Sequence, residues 1–282
     1  MKFTIIGSGG CVCLPKPTCQ CSVCVEARIK GGRYKRHSAS LYLEDAALLV
    51  DTPEDIADAL NCSDIRKVNN VLYTHRDPDH TMGMRVFEQL RLEWLDYYEK
   101  MPPRRPISVY AEETVMTTIN EISIGYGALL GYYEGMGLIE RKPLISPINI
   151  NGVVITCVNV GKRKPVSVFV FESNEKRLIY APCDCVPFPD SPLFYGANVL
   201  VIGNTFVGDV LKGGRVIGAE HPLRSELHSV DNILAIKTKF GIDDVIITHI
   251  EEDWGKSYDD YIALEKCYKN IRFAYDGMVV EL

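Results

Sequence analysis

Hydrophobic residues along the chain fall into short runs separated by turn-forming residues, a pattern that favours β-strands with helices between them. In the first half, β-branched and aromatic residues dominate the strand-like runs, and proline or helical apolar spacing marks the segments between them. The predicted strands of this half are MKFTIIG, the two arms of SLYLEDAALLVDT, KVNNVLYTH and PISVYAEE. The predicted helices are PEDIADALN, GMRVFEQLRLEWLDYYEKM and EETVMTTINEIS.

From residue 152 onward, strands and helices continue to follow one another to the C-terminus. The predicted strands are GVVITCVNV, VSVFVFES, KRLIYAP, NVLVIGN and DDVIITHI, the helices are SVDNILAIKTKFG and YDDYIALEKCYKN, and IRFAYDGMVVEL predicts a closing hairpin. Because no linker or repeat interrupts this pattern, we expect one α/β domain over 1–282, with two packed sheets and helices outside. An insertion or lid over about 83–150 fits the pattern, as does an irregular connection with buried tyrosines over 125–150.

The composition is that of a globular protein, with 46% hydrophobic and 24% charged residues and a net charge of −6. An acidic balance does not favour nucleic acid or an anionic membrane as a partner. No apolar run approaches the roughly 18 residues of a membrane span, and the N-terminus resembles a first strand more than a signal peptide. We therefore expect a cytoplasmic protein, and we leave a homodimer open.

The segment HRDPDH, which ends the predicted strand KVNNVLYTH, places four metal-binding side chains within six residues. These are His75, Asp77, Asp79 and His80. Burying such polar groups beside a strand costs free energy unless they form hydrogen bonds or bind an ion. A loop at the end of the strand can present them to a cation. A surface loop with ordinary charges is the alternative. Further candidates end other apolar runs in the same way, namely Asp51 in LLVDT, Asp184 in LIYAPCD and His249 in VIITHI.

These motifs, in this order, resemble those of the metallo-β-lactamase-fold hydrolases. That superfamily carries H-x-H-x-D-H after a strand, then a further histidine, a bridging aspartate and a final histidine. The resemblance covers nearly the whole chain and implies an αββα sandwich with a metal centre at one edge. It implies that Asp79, His80 and His249 bind one ion, that Asp184 bridges to a second, and that Asp51 orients the ligand loop.

The second metal position departs from the superfamily signature, because Asp77 replaces a histidine and no histidine precedes VSVFVFE. Gly161 or Lys162 stands in that place. We expect one firmly bound divalent ion (zinc, manganese or iron) and a second that His75 and Asp77 hold weakly. Carboxylate-rich sites favour manganese or iron more than imidazole sites do. The run GKRK is interpreted either as a solvated turn or as a source of a fixed inward cation, Lys162 or Arg163.

Five of the ten cysteines lie in residues 11–24, which without a signal peptide favours metal binding over disulfides. The segment GSGGCVCLPKPTCQCSVCVEAR resembles the branch of the superfamily that includes the phosphonate-pathway phosphoribosyl cyclic phosphodiesterase. Closely spaced thiolates suit a structural zinc, with Cys19, Cys21 and Cys24 as ligands and Glu252 where the resembling enzyme has a histidine. A loop of free cysteines is the other interpretation. The alternative fourth ligands are Asp253, Cys11, Cys13 and His228.

Two further assignments concern residues around the predicted centre. If Asp184 faces the metal from an extended segment, side-chain alternation turns Cys183 and Cys185 away from it. His228 lies just before a predicted helix, where it either lines the rim of the active site or is an ordinary polar residue.

The resemblance implies a metal-dependent phosphodiesterase that acts on a small phosphodiester, including a cyclic one. A metal-activated water is the nucleophile in such chemistry, with Asp79 and Asp184 beside it. Two other hypotheses stay open: an iron protein with redox or dioxygen chemistry on the same fold, and a non-catalytic binding protein descended from a hydrolase. Metal identity and turnover of a generic phosphodiester would separate the three.

Overall fold

Two seven-stranded sheets form the centre of the computed structural model, which describes residues 1–101, 105–161 and 164–282. Within those residues the strands are β1 (Lys2–Gly7), β2 (Ser40–Leu43), β3 (Leu48–Val50), β4 (Asn70–Tyr73), β5 (Ile107–Ala111), β6 (Ser123–Ile124), β7 (Gly127–Ala128), β8 (Ile139–Pro143), β9 (Ile148–Ile150), β10 (Val153–Val160), β11 (Val166–Ser173), β12 (Lys176–Ala181), β13 (Val199–Ile202), β14 (Thr205–Phe206), β15 (His228–Ser229), β16 (Asp244–Ile247), β17 (Ile271–Phe273) and β18 (Met278–Glu281).

The helices are short and lie between the strands. In the described part of the chain they are α1 (Ser22–Lys30), α2 (Ile56–Asn61), α3 (Pro78–Thr81), α4 (Val86–Arg91), α5 (Trp94–Tyr98), α6 (Glu113–Ile119), α7 (Leu129–Gly135), α8 (Leu223–Glu226), α9 (Val230–Phe240) and α10 (Tyr258–Glu265). Among these helices, none is both long and apolar enough to cross a bilayer.

The strand order of the two sheets places many strand ends at one edge. The first sheet has the order β18-β1-β2-β3-β4-β5-β8, and the second has the order β17-β16-β13-β12-β11-β10-β9. Strands β3, β4, β5 and β8 run parallel to one another, and so do β12, β13, β16 and β17. Loops after the carboxyl ends of parallel strands bring side chains from distant parts of a chain together.

The hydrophobic cores define four layers. One core lies between the sheets and includes Phe3 from β1 and Phe169 from β11. A second core packs α9 and α10 on the outer face of the second sheet, through Ile233 and Tyr261. A third packs α2, α4, α6 and α7 on the outer face of the first sheet. The predicted αββα sandwich is therefore confirmed.

Strand β11 shows why the central strands have nearly continuous apolar sequences. Val168 and Val170 belong to the outer core of the second sheet, whereas Phe169 and Phe171 belong to the core between the sheets. All four side chains are fully buried. A strand covered on both faces needs apolar residues at every position rather than at alternate ones.

The predicted closing hairpin IRFAYDGMVVEL is wrong, because its two strands join different sheets. β17 pairs with β16 in the second sheet, and β18 pairs with β1 in the first. Ala274, between the two strands, is fully buried in the core between the sheets. Gly277 turns the chain with a φ of 83°. This turn carries the chain from the second sheet to the first, and each of the two strands extends a sheet that is already formed.

The region 83–150 differs from its prediction in two respects. The single helix predicted there is two helices, α4 and α5, because the backbone is extended at Leu92 and Glu93. Just before this break, the guanidinium of Arg91 donates a hydrogen bond to the carbonyl oxygen of Val68. The region considered as an insertion or lid also supplies β5 and β8 of the first sheet, so these two strands are integral to the sandwich.

Candidate metal centre

Polar side chains meet at the edge where the parallel strands of both sheets end. Asp51 follows β3, Asp184 follows β12, Asn204 follows β13 and His249 follows β16. Their backbones are left-handed, with φ of 63°, 53°, 50° and 52° respectively. Aspartate, asparagine and histidine adopt this conformation more readily than most residues, although it still costs free energy that the surroundings must offset. The strands therefore end in sharp turns that bring these side chains to one edge.

Gly203 allows two of these strand ends to approach each other closely. A Cβ atom at this position would lie 1.4 Å from the Pro182 carbonyl oxygen and 2.7 Å from the Cβ atom of His249. Any side chain would push the loop after β12 away from the end of β16. Glycine at this position therefore helps to assemble the centre.

Three donor atoms meet in what we call the first ligand group, Asp79, His80 and His249. Asp79 and His80 lie in α3, which begins at Pro78, a residue whose fixed φ suits the first helical position. The Nε2 atoms of His80 and His249 are 3.4 Å apart, and Asp79 Oδ2 lies 3.4 Å from the former and 3.3 Å from the latter. Both imidazoles are buried. The structure thus brings together the three residues predicted to hold one ion.

Asp51 lies behind the ligands and contacts His80. Its Oδ2 accepts a hydrogen bond from His80 Nδ1 at 2.8 Å, and its carboxylate also accepts from the backbone and the hydroxyl of Thr74 at 2.8 and 2.7 Å. A neutral His80 that donates through Nδ1 carries a lone pair on Nε2. That lone pair would face the carboxylate of Asp79, so the contact is repulsive unless a proton or another cation lies between them.

The electrostatics of the first ligand group require positive charge. Burial lowers the pKa of His80, but Cys183 and Asp51 outweigh burial and raise the pKa well above its usual value. For His249 the hydrogen bond to Asp79 has the same effect against burial, and the pKa is again raised. Burial raises the pKa of Asp79, but the two imidazoles outweigh it and lower the pKa. Protons or a divalent ion can supply this charge.

His75, Asp77 and Asp184 form what we call the second ligand group, and a lysine lies within it. The ammonium of Lys164 forms hydrogen-bonded ion pairs with both Asp77 and Asp184. His75 Nε2 lies 3.7 Å from Asp77 Oδ2. Burial lowers the pKa of Lys164, but the two carboxylates outweigh it and raise the pKa above its usual value. The amine is therefore a permanent cation at neutral pH.

Two expectations about this group stay predictions. Asp184 is expected to bridge two ions, and the structure places its carboxylate together with His75 and Asp77. The inward cation was considered for Lys162 or Arg163, and both residues lie outside the described part of the chain. Sequence reasoning did not single out Lys164, which the structure places in this group.

Cys183 is turned into the centre, so the prediction that alternation points it away is wrong. Its Sγ lies 3.2 Å from His75 Nε2 and 3.4 Å from His80 Nε2. That prediction assumed an extended segment, whereas Asp184 has a φ of 53°. Burial raises the pKa of Cys183, but the two imidazoles outweigh it and hold the pKa well below its usual value. Cys185 does lie away from the metal ligands, in the outer core of the second sheet.

His228 lies behind the loop of Asp184 instead of at the rim of the centre. Its ring is buried, and its Nε2 donates a hydrogen bond to the carbonyl oxygen of Cys185 at 3.2 Å. The ring also packs edge-on against Phe188. Burial lowers the pKa of His228, so the ring is neutral at pH 7. Its role in the structure is to support the loop that carries Asp184.

Sequence reasoning also missed two polar residues next to the ligands. Asn204 Nδ2 lies 3.5 Å from Asp184 Oδ1. Glu251 Oε1 accepts a hydrogen bond from the backbone of Cys11 at 3.0 Å and lies 3.3 Å from His249 Nδ1. Both residues closely follow strand ends, the same signal that singled out Asp51, and that signal could have identified them.

The four residues predicted for a structural zinc come together at the N-terminus of α1. Glu252 Oε1 lies 3.5, 3.1 and 3.1 Å from the Sγ atoms of Cys19, Cys21 and Cys24. Cys24 and Glu252 are buried, and Cys21 caps α1 by accepting a hydrogen bond from the backbone of Cys24. Among the residues that the structure describes, the alternative fourth ligands do not join this cluster. Those alternatives were Asp253, Cys11, Cys13 and His228.

The charges around this cysteine cluster fit a zinc ion. Lys212 Nζ lies 2.5 Å from Glu252 Oε1 and 3.3 Å from Cys19 Sγ. Burial raises the pKa of Glu252, but Lys212 and the three thiols outweigh it and lower the pKa to about 2. Glu252 Oε2 is buried and makes no hydrogen bond to any described residue. Three thiolates and a carboxylate exceed the charge of one zinc ion by two units, and Lys212 offsets one of them.

We expect Asp51→Asn to weaken metal binding at the first ligand group by about 10–100-fold. An asparagine has one acceptor oxygen, so it cannot accept all three of the hydrogen bonds that orient His80 and Thr74. Calorimetric titration of the metal-free protein with Mn²⁺ or Zn²⁺ measures the change. Asp45→Asn, on the turn after β2 where the side chain is 46% exposed, is the matched control. Equal affinities in Asp51→Asn and wild type would contradict the orienting role.

The sequence also places the chain in a known class of proteins. Residues 47–250 match the family described as Beta-lactamase superfamily domain, and the chain belongs to this family. The matched region runs from the turn before β3 to the end of β16 and includes both ligand groups. The comparison with curated proteins found no match.

Solved structures with the same fold span the whole chain. A diphosphatase from the PhnP family has a TM-score of 0.72 and 19% identity, and the match covers 100% of this chain and 96% of the other. Zn²⁺-bound PqqB from Methylobacterium extorquens has a TM-score of 0.69 and 18% identity, with 100% of both chains covered. Human tRNase Z, short form, has a TM-score of 0.62 and 14% identity, covering 100% of this chain and 99% of the other. These likenesses establish the fold.

Proposed function

We propose that the protein is a metal-dependent hydrolase whose catalytic ion is held by the first ligand group. The observation that carries this proposal is the convergence of Asp79 Oδ2 with the Nε2 atoms of His80 and His249 at 3.3 to 3.4 Å. Two ligands bound to zinc at about 2.1 Å and at the tetrahedral angle are about 3.4 Å apart. The observed spacing therefore fits a divalent ion, which also relieves the repulsion between the facing acceptors.

A cavity of about 860 Å³ beside the first ligand group supports an anionic substrate. It reaches the centre at Asn204 and Glu251, and it has more basic than acidic side chains. The basic residues of the cavity are Lys16, Lys212, Arg215 and His221. Apolar walls with a few charged groups suit a phosphodiester that carries an apolar or ring-shaped group.

The chemistry follows from the arrangement of the carboxylates. A divalent ion held by Asp79, His80 and His249 would lower the pKa of a water and stabilise the negative charge that develops on a phosphate during hydrolysis. Asp79 and Asp184 supply carboxylates to the centre, where they can accept hydrogen bonds from the attacking water and orient it. Helix α3 holds Asp79 and the loop after β12 holds Asp184, whose carboxylate also forms an ion pair with Lys164.

Hydrolysis of bis(p-nitrophenyl) phosphate, a generic phosphodiester, tests the proposal. We expect turnover by protein loaded with Mn²⁺, Zn²⁺ or Fe²⁺, loss of turnover after chelation, and recovery when the ion is returned. Parallel assays with p-nitrophenyl phosphate measure the preference for diesters over monoesters. Absence of turnover with all three ions, while metal analysis shows the first ligand group filled, would contradict hydrolysis and favour a binding protein.

One observation favours a second candidate, an iron protein with redox or dioxygen chemistry. Asp79, His80 and His249 are two histidines and one carboxylate, the ligand set that many non-haem iron oxygenases use on one face of the metal. Metal analysis of protein purified without chelator distinguishes this candidate. Tightly held iron, together with oxygen consumption and no phosphodiester turnover, would favour it over the hydrolase.

We also propose that the cysteine cluster holds a structural zinc ion. Cys19, Cys21 and Cys24 supply thiolates and Glu252 supplies the fourth ligand atom. The support is the tight grouping of the four donors and the orphaned, buried Glu252 Oε2. A closed set of four protein ligands leaves no open position, as is usual for zinc that stabilises a fold.

A further inference from the structure

Lys164 lies at the centre of the second ligand group, where three separate segments of the chain meet. Asp77 lies between β4 and α3, Asp184 follows β12, and Lys164 precedes β11. The lysine is 87 residues from Asp77 and 20 residues from Asp184 in sequence, yet its ammonium contacts both carboxylates. His75 completes the group from the first sheet and is fully buried.

The charges of this group explain why a cation is needed there. The side chains of Asp77 and Asp184 are 29% and 35% exposed, so water screens them only in part. Two carboxylates that approach one point in such a setting repel each other unless a cation lies between them. An ammonium that already contacts both oxygens fills the place that a second divalent ion would require.

We propose that the Lys164 ammonium is the resident cation of the second ligand group, in place of a second divalent ion, and that it binds an anionic oxygen of the substrate. The substrate contact rests on the hydrolase function proposed above. An ammonium has three N–H donors, and Asp77 and Asp184 use two of them. The third donor remains for a ligand, and the lysine side chain is 46% exposed, so a substrate can reach it.

Counting bound ions in matched variants tests the first part of the proposal. Wild type, Lys164→Met, Lys164→Arg and the exposed control Lys269→Met are equilibrated by dialysis against Mn²⁺, and the ions per chain are measured by plasma mass spectrometry. We expect Lys164→Met to bind one more ion per chain than wild type, because it leaves two carboxylates and His75 free to ligate. Lys164→Arg and Lys269→Met should match wild type. Equal counts in wild type and Lys164→Met would overturn the proposal.

A charge-balanced double variant controls for folding and tests the substrate contact. Asp77→Asn combined with Lys164→Met removes one charge of each sign and should return to the wild-type ion count. We expect its affinity for inorganic phosphate, measured by calorimetry on metal-loaded protein, to be about tenfold or more weaker than that of wild type. Unchanged phosphate affinity would overturn the contact with substrate.

Neither measurement depends on turnover. A protein that hydrolyses no phosphodiester, so that the proposed function fails, still shows whether Lys164→Met gains an ion and whether phosphate binding needs the ammonium. Conversely, an active hydrolase whose wild type binds two ions at the centre would keep the proposed function and overturn the role of Lys164. The two failures are therefore distinguishable.

Discussion

Asp79→Asn is expected to lower kcat/KM for a phosphodiester by about 10³-fold or more and to remove most of the affinity for the catalytic ion. Within the described residues Asp79 is the carboxylate of the first ligand group, beside His80 and His249. Asparagine keeps the shape of the side chain but removes the negative charge that offsets the positive charge of the ion. The ion contributes several kcal/mol to transition-state stabilisation, and each 1.4 kcal/mol corresponds to about tenfold in rate.

Turnover of bis(p-nitrophenyl) phosphate and calorimetric titration with Mn²⁺ measure these two losses. Asp64→Asn is the matched control, because this aspartate is fully exposed and its nearest cation, Arg66, is 4.0 Å away. The control should behave as wild type in both assays. If Asp79→Asn kept both its turnover and its metal affinity, the catalytic ion would have to lie elsewhere.

Much of the fold could be predicted from the sequence because each strand is identified by its own residues. Apolar runs of β-branched and aromatic residues set β10 to β13 and β16 near their predicted positions. The candidate ligands could also be predicted from the sequence. Parallel pairing brings the polar residues that end such runs to one edge of the sheet. Asp51, Asp184 and His249 were found by this signal, and HRDPDH stands out by its composition alone.

Long-range pairing explains why the C-terminal prediction failed. The sequence IRFAYDGMVVEL has two strand-like runs joined by a turn, the local pattern of a hairpin. In the structure, however, β17 pairs with β16 and β18 pairs with β1. Pairing with a large sheet buries both strands against existing cores, which an isolated two-stranded hairpin cannot do. The choice between these arrangements depends on residues more than 20 positions away, which no local pattern contains.

A single backbone angle explains why Cys183 was misassigned. Side-chain alternation holds only while the backbone is extended, and a φ of 53° at Asp184 reverses the direction of its neighbour Cys183. Gly161, with a φ of 78°, bends the chain before β11. Because Lys162, Arg163 and Lys164 follow one another in the sequence, the local pattern indicates a cation here but does not identify Lys164 as the residue that contacts both aspartates.

Asp77 and Lys164 are best understood as a compensating pair. An imidazole at position 77 would be a neutral metal ligand, whereas a carboxylate adds a negative charge next to Asp184. The ion pairs of Lys164 with both carboxylates cancel that charge. A change of ligand type at one position and a lysine from a distant segment together convert a position for metal into a position for an ammonium.

Cys24→Ser is expected to release one zinc ion per chain and to lower the midpoint of thermal unfolding. Cys24 is fully buried, and its cluster joins α1 to the turn after β16 through Glu252. The small hydrophobic cluster that includes Cys24 has few other members, chiefly Leu14, Val23 and Ala27, so a metal bound by the cysteines would supply much of the stability of this segment. A metal present at about 1,000 times its Kd stabilises the folded state by about 4 kcal/mol.

For a chain of this size, each kcal/mol shifts the midpoint by about 2–4 °C, so loss of the ion should lower it by roughly 8–16 °C. Calorimetric melting and zinc analysis of the same samples measure both effects. Cys267→Ser makes the same chemical change at an exposed cysteine outside the cluster and should melt with wild type. A Cys24→Ser protein with full zinc content and an unchanged midpoint would show that these thiols are not zinc ligands. Chelation of wild type should lower the midpoint at least as far as Cys24→Ser does, because it removes the same ion from the folded state together with the ion of the first ligand group.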